Sequence, residues 1–125
     1  MTPSFTTNPN ERLLNVAKAL EESPNPDKFT METFGHDCGT PACALGHYAS
    51  RQDLQDAFLL DRDGFLRDGD GFTICYDDPD LLEHFDIRDF EAAELFSAIG
   101  CAAAETPREA ANYIRAFVAK RRGEK

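Results

Sequence analysis

Two cysteines and two histidines fall within twelve residues, His36-Asp37-Cys38-Gly39-Thr40-Pro41-Ala42-Cys43-Ala44-Leu45-Gly46-His47. No other stretch of the chain is as rich in side chains that ligate, attack or carry protons. Cys43 and His47 are four apart and so share one face of a helix, where a thiolate and an imidazole can hold zinc; Cys38 or His36 would add a third ligand, and Cys75 or Cys101 a fourth. Cys38 and Cys43 could instead form a redox pair, although four residues separate them and disulfide oxidoreductases use two. A nucleophilic Cys43 would need His36 or His47 as base and a carboxylate such as Asp37 to orient it. Against all three stands packing: cysteine is a small, readily buried hydrophobe, and Gly39 and Gly46 suit a tight turn and a close helix contact. The spacing departs from the common zinc frameworks, so packing is the favoured reading. Cys38, Cys43 and His47 remain the candidate zinc or thiol site.

The second chemical concentration is acidic. Residues 53–89 carry 12 acidic and 3 basic side chains, with Asp61-Arg62-Asp63-Gly64 and Asp68-Gly69-Asp70-Gly71 on either side of an apolar pair. A helix–loop–helix calcium site starting at Asp61 would place Phe65 and Leu66 where an oxygen ligand and a glycine belong, so that reading fails. Asp and Gly are also what tight turns need. Asp61, Asp63, Asp68 and Asp70 are therefore candidate contacts for a basic partner rather than metal ligands.

These groups must be positioned by helices. Four times a capping residue precedes proline, at Asn8-Pro9, Thr40-Pro41, Asp78-Pro79 and Thr106-Pro107. The side-chain oxygen accepts an orphan backbone N–H, and proline fills the first helical position at no hydrogen-bond cost. The first helix should run to about Ser23 with Leu13, Val16, Ala17 and Leu20 inward; the last should span about 107–122 with Ala110, Tyr113, Ile114, Phe117 and Val118 inward. Between them, helices are predicted from Thr40 to about Ala49, over Gln52–Leu60 presenting Leu54, Ala57 and Phe58, and over Ile87–Ile99 presenting Phe90, Ala93 and Phe96, with a helical turn at Asp78–Phe85. A helix beginning at Thr40 puts Cys43 in its first turn, where the dipole would lower the thiol's pKa. Alternating apolar residues around Asp68-Gly69-Asp70-Gly71 predict a β-hairpin at about 64–76. The fold class is thus mainly α (α+β), a compact bundle of four to six helices with one small hairpin. No internal repeat is evident.

The sequence has 125 residues, 42% apolar, which suits one domain, 1–125, with disordered ends at 1–7 and 121–125. With no apolar run long enough for a membrane span and no signal peptide at the start, a cytoplasmic location with reduced cysteines is expected. The net charge of −10 is uneven: residues 1–107 hold 7 basic and 21 acidic side chains, residues 108–125 hold 6 and 2. Such a body repels phosphate backbones, which argues against direct nucleic-acid binding, while an acidic mimic of nucleic acid would suit a basic partner.

Cys38-Gly39-Thr40-Pro41-Ala42-Cys43-Ala44-Leu45-Gly46-His47-Tyr48-Ala49 resembles the Cys-Gly-Thr-x-x-Cys-x-x-Gly-Trp/His-Ala signature of small uncharacterised bacterial and phage proteins, and Ala92-Ala93-Glu94-Leu95-Phe96 resembles the segment that follows it. The resemblance spans about residues 29–118. In those proteins the position of His47 is often Trp, which cannot bind zinc, and this implies packing there. With no paired catalytic carboxylates, phosphate-cradling loop or nucleophile elbow, the sequence leans away from an enzyme. It points to a small acidic module that binds another macromolecule, with a basic protein partner and a homodimer both in view. A zinc or thiol-redox protein and an acidic nucleic-acid mimic are the alternatives.

Overall fold

Three of the four Xaa-Pro signals cap helices as written. In the computed structural model, which describes residues 8–23, 29, 43–55, 57–75, 78–96, 106–121 and 123, Asn8 Oδ1 accepts from the amides of Asn10 and Glu11 and opens α1 (Pro9–Glu21). Asp78 accepts from the Asp80 amide and opens α3 (Pro79–Phe85). Thr106 accepts from the Glu109 amide while its hydroxyl donates to the Glu109 carboxylate, closing a capping pair at the start of α5 (Pro107–Arg121). Thr40-Pro41 lies outside the described residues. The helix expected from Thr40 instead begins after Cys43: that residue is extended, with φ −91 and ψ −179, and caps α2 (Ala44–Ala49).

α1 packs most extensively on α5 and also touches α2 and α3. Its buried residues Leu13, Val16, Ala17 and Leu20 are those the helical spacing selects, and they share a core with Ala110, Ala111, Ile114 and Val118 of α5. Arg121, the last residue of α5, ties that helix to α1 and α3. Arg121 donates to Asn10 Oδ1 at 2.7 Å and to the carbonyls of Phe85 and Asp86, and its guanidinium lies 5.5 Å from the centre of the Phe117 ring. Asp86 ends α3 in the left-handed region, φ 50, a conformation aspartate tolerates better than most residues.

The helix expected over Gln52–Leu60 is absent. Only one turn forms after α2, because two glutamine side chains take over the bonds a helix would make. Gln55 Nε2 donates to the carbonyls of Tyr48 and Phe58 while its Oε1 accepts from the Phe58 amide at 2.8 Å, and Gln52 reaches the Ala49 and Phe58 carbonyls. Chain direction then reverses into β1 (Leu59–Leu60), which pairs antiparallel with β2 (Leu66–Arg67), Leu59 opposite Arg67 and Leu60 opposite Leu66. The hairpin predicted at 64–76 is present at its far side as a single bridge, Arg67 to Thr73, with the Ile74 amide donating to the Leu66 carbonyl. The small sheet therefore sits one turn earlier than expected. α4 (Asp89–Phe96) buries Ala92, Leu95 and Phe96; Phe90, expected inward, is 62% exposed, and Tyr113 of α5 is also open to solvent. Among the described residues no helix is long and apolar enough to cross a membrane.

Candidate functional site

Cys43 and His47 meet as the spacing requires, one helical turn apart, but the turn is sealed. Both are 1% exposed. The Cys43 thiol lies near the amides of Gly46 and Leu45, which favour the thiolate, yet burial outweighs them and pushes its pKa up to about 11. The lowered pKa expected of a helix start is thus reversed. His47 Nδ1 is 2.8 Å from the Cys43 carbonyl oxygen and Nε2 is 2.7 Å from Ser23 Oγ. A carbonyl only accepts, so Nδ1 carries the proton and donates to it, leaving Nε2 to accept from the serine hydroxyl. Burial lowers the pKa of His47, which keeps the ring neutral. With both nitrogens engaged, the imidazole has no lone pair directed at a metal. Cys38, His36, Asp37 and Cys101 lie outside the described residues, and among those described no three His, Cys, Asp or Glu side chains gather as metal ligands. Cys75 is exposed on the far side of the hairpin region, and both it and Cys43 are thiols.

A second imidazole, the half-buried His84, is paired with a buried phenol and belongs to no sequence motif. Tyr48 Oη is 2.7 Å from His84 Nε2, and the His84 carbonyl accepts from Arg12 at 2.9 Å. Burial first, and the Arg12 charge second, push His84 down to about 4, so Tyr48 donates to a neutral ring. The rings of Phe58 and Phe85 close around it at centroid distances of 5.0 and 4.8 Å. These are the linkages of a well-filled core: among the described residues every buried side-chain nitrogen and oxygen has a partner.

The acidic hairpin region is built on a different plan. Asp61 Oδ1 accepts from the amides of Asp63 and Phe65, both at 2.9 Å; Asp68 Oδ1 accepts from those of Asp70 and Phe72, both at 3.0 Å. The Asp61 amide donates to the Phe65 carbonyl and Gly64 to that of Asp61; seven residues on, the Asp68 amide donates to the Phe72 carbonyl and Gly71 to that of Asp68. Gly64 and Gly71 share φ 87, the left-handed position that closes a three-residue hairpin loop. Asp-x-Asp-Gly-Phe is thus one turn made twice, a short repeat at a spacing of seven that corrects the expectation of none. One difference separates the copies: Asp61 Oδ2 also accepts from Arg67 Nε at 2.7 Å, and the Phe65 amide together with that guanidinium holds its carboxyl below the usual range.

The four candidate contact aspartates therefore divide. Asp61 and Asp68 are committed to the turns, whereas Asp63 and Asp70 sit exposed in the loops. Beside them Phe65 is 51% and Phe72 69% exposed, with Leu59 at 47%. Leu66 and Ile74 face inward and half-buried Leu60 packs with them, so the region is anchored while its phenyl rings are not. Sequence reasoning placed Phe65 and Phe72 in strands and missed them as surface groups; the signal was their position immediately after the turn glycine in both copies.

No protein family, curated protein or solved structure matches the chain. Its function is therefore argued from this geometry.

Proposed function

We propose that the chain is a non-enzymatic binding module, acting in the cytoplasm, whose twin-turn region docks a basic polypeptide. The observation that carries this reading is the repeated presentation of an exposed phenylalanine on a self-braced acidic turn, Phe65 with Asp63 and Phe72 with Asp70. Apolar rings exposed to this degree cost solvation unless a partner covers them, and aromatic anchors surrounded by charge are the usual composition of a binding hot spot. The turns are braced by side-chain-to-amide bonds in the same residues, so docking would order little additional backbone. The excess of 12 acidic over 3 basic side chains in residues 53–89 selects a cationic partner and disfavours nucleic acid.

The test is a displayed library of random peptides selected on the immobilised chain, with selected peptides remeasured by fluorescence anisotropy. Expected are Lys- and Arg-rich peptides carrying apolar residues, whose affinity falls at least about tenfold between low and moderate salt and again in a Phe65→Ser/Phe72→Ser double variant. Selection of neutral or acidic peptides, or binding unaffected by the double variant, would overturn the proposal.

A further inference from the structure

Thr73 lies opposite Arg67 in an antiparallel bridge, and the bonds on either side of that pair run from the Ile74 amide to the Leu66 carbonyl and from the Asp68 amide to the Phe72 carbonyl. The Ile74 N–H and the Phe72 C=O therefore point towards β2 and its continuation. By the alternation of an antiparallel ladder, Thr73 turns its own N–H and C=O the opposite way, to the outer edge of the sheet. Thr73 is exposed, and among the described residues neither of these groups has a hydrogen-bond partner. The residues in phase with it are engaged: Gly71 donates to the Asp68 carbonyl and accepts from Arg67, and the Cys75 carbonyl accepts from the Asp78 amide. The edge thus presents one residue's donor and acceptor, set between the exposed ring of Phe72 and the exposed Cys75.

We infer that this edge takes a basic polypeptide as an added β-strand, an inference that rests on the docking function proposed above and supplies its binding mode. An extended chain laid along Phe72–Cys75 accepts from the Thr73 N–H and donates to the Thr73 C=O through a single residue. Its side chains then alternate between the face of Thr73 and the face of Phe72. Charge selects this occupant over a second copy. Residues 68–80 hold five Asp and no Lys or Arg. The one base paired across from Thr73, Arg67, is already bound to Asp61 at 2.7 Å and to the Gly71 carbonyl. Antiparallel self-pairing centred on Thr73 would bring Asp68 of each copy up against Asp78 of the other, and like charges set opposite one another across a strand pair repel. A cationic strand meets the same aspartates with the opposite sign.

The probe is a fluorescent peptide of about nine residues in which Lys and Val alternate, the length of an ordinary strand. It should bind the wild-type chain, and a peptide of alternating Glu and Val should not. Amide hydrogen exchange of the wild-type chain, read by NMR with and without saturating Lys-Val peptide, tests the pairing itself. Protection of the Thr73 amide should rise about tenfold or more, while the amides of Asp70 and Phe72, already bonded to Asp68, change less than about twofold. Thr73→Pro removes the outward N–H at an edge position, where proline is tolerated, and should weaken binding about fivefold or more. Thr73→Val keeps the backbone and should bind within about twofold of wild type, with urea midpoints checking that both variants are folded. Peptide that binds while Thr73 exchange stays unchanged, or a Thr73→Val chain that loses as much affinity as Thr73→Pro, would overturn the pairing and leave the docking function standing. Peptide that does not bind the wild-type chain at all would overturn both. Thr73 protection that climbs with protein concentration in the absence of peptide would give the edge to a second copy and overturn the inference.

Discussion

The segment from Cys43 to Tyr48 and the region from Leu59 to Cys75 invert what their residue types promise. The first holds a thiol, an imidazole and a phenol, and it turns all of them inward: His47 spends both nitrogens on Cys43 and Ser23, and Tyr48 spends its hydroxyl on His84. The second holds side chains of plain turn chemistry, yet it satisfies its backbone locally and leaves two phenyl rings and two carboxylates facing solvent. Reactivity depends on access and on spare valence more than on residue identity. A histidine whose two nitrogens are both bonded in the core is a packing element, while a phenylalanine held out by a braced turn is a binding element.

The contrast can be sharpened with one cysteine from each region. With its pKa pushed up to about 11 by burial, Cys43 stays a protonated thiol near neutral pH, out of reach of solvent. Alkylation followed by peptide mass mapping should find exposed Cys75 modified at least about a hundredfold faster than Cys43; the reverse order would return Cys43 to the role of a reactive centre. His47→Ala comes next. It opens a cavity and removes the donor to the buried Cys43 carbonyl, so urea unfolding should register a loss of about 2–4 kcal/mol, and a loss below about 1 kcal/mol would mean that the segment is not the packed unit described.

The two depressed histidines give a pH dependence of the next size. Their folded forms bind the proton less readily than the unfolded chain does, so their contribution is complete above pH 6.5 and is lost as pH falls from there towards the folded value, about 4 for His84. Allowing for solvent screening at the partly exposed His84, on the order of 1 kcal/mol from that residue should vanish by about pH 5. A His84→Gln chain should show a shallower slope, and an identical slope would remove His84 from the account. Smallest is the effect of a single turn brace. Asp68→Ala frees the amides of Asp70 and Phe72 and should cost about 1 kcal/mol, with faster hydrogen exchange at those two amides while exchange in α2 is unchanged.

Much of the helical frame was legible because it depends on local rules. Asn8, Asp78 and Thr106 cap where a short polar side chain precedes proline, and the buried stripe of α1 follows its 3.6-residue period. The failures share a cause: a side chain or tertiary neighbour took over a backbone role. Gln52 and Gln55 look like ordinary helix formers, and they end the helix by bonding to carbonyls that only their folded surroundings bring within reach. Phe90 and Tyr113 read as core because aromatic residues at helical spacing usually are, whereas the inward side of α4 is set by Ala92, Leu95 and Phe96, and Phe117 of α5 does pack against the core. At the candidate site the pairing of Cys43 with His47 was readable from spacing. Ser23, the partner that completes the imidazole, lies 24 residues away and was not.

The bond from Arg121 to Asn10 joins positions 111 apart, across the seam where α1 meets its most extensive neighbour. For a chain made from its amino end, that leaves this part of the core incomplete until α5 has been synthesised. At roughly 5–20 residues per second, α1 waits on the order of 5–20 s for α5 to be synthesised, with Leu13, Val16 and Leu20 lacking their main cover. A message truncated before α5 therefore yields a product whose first helix presents bare apolar surface to chaperones and proteases.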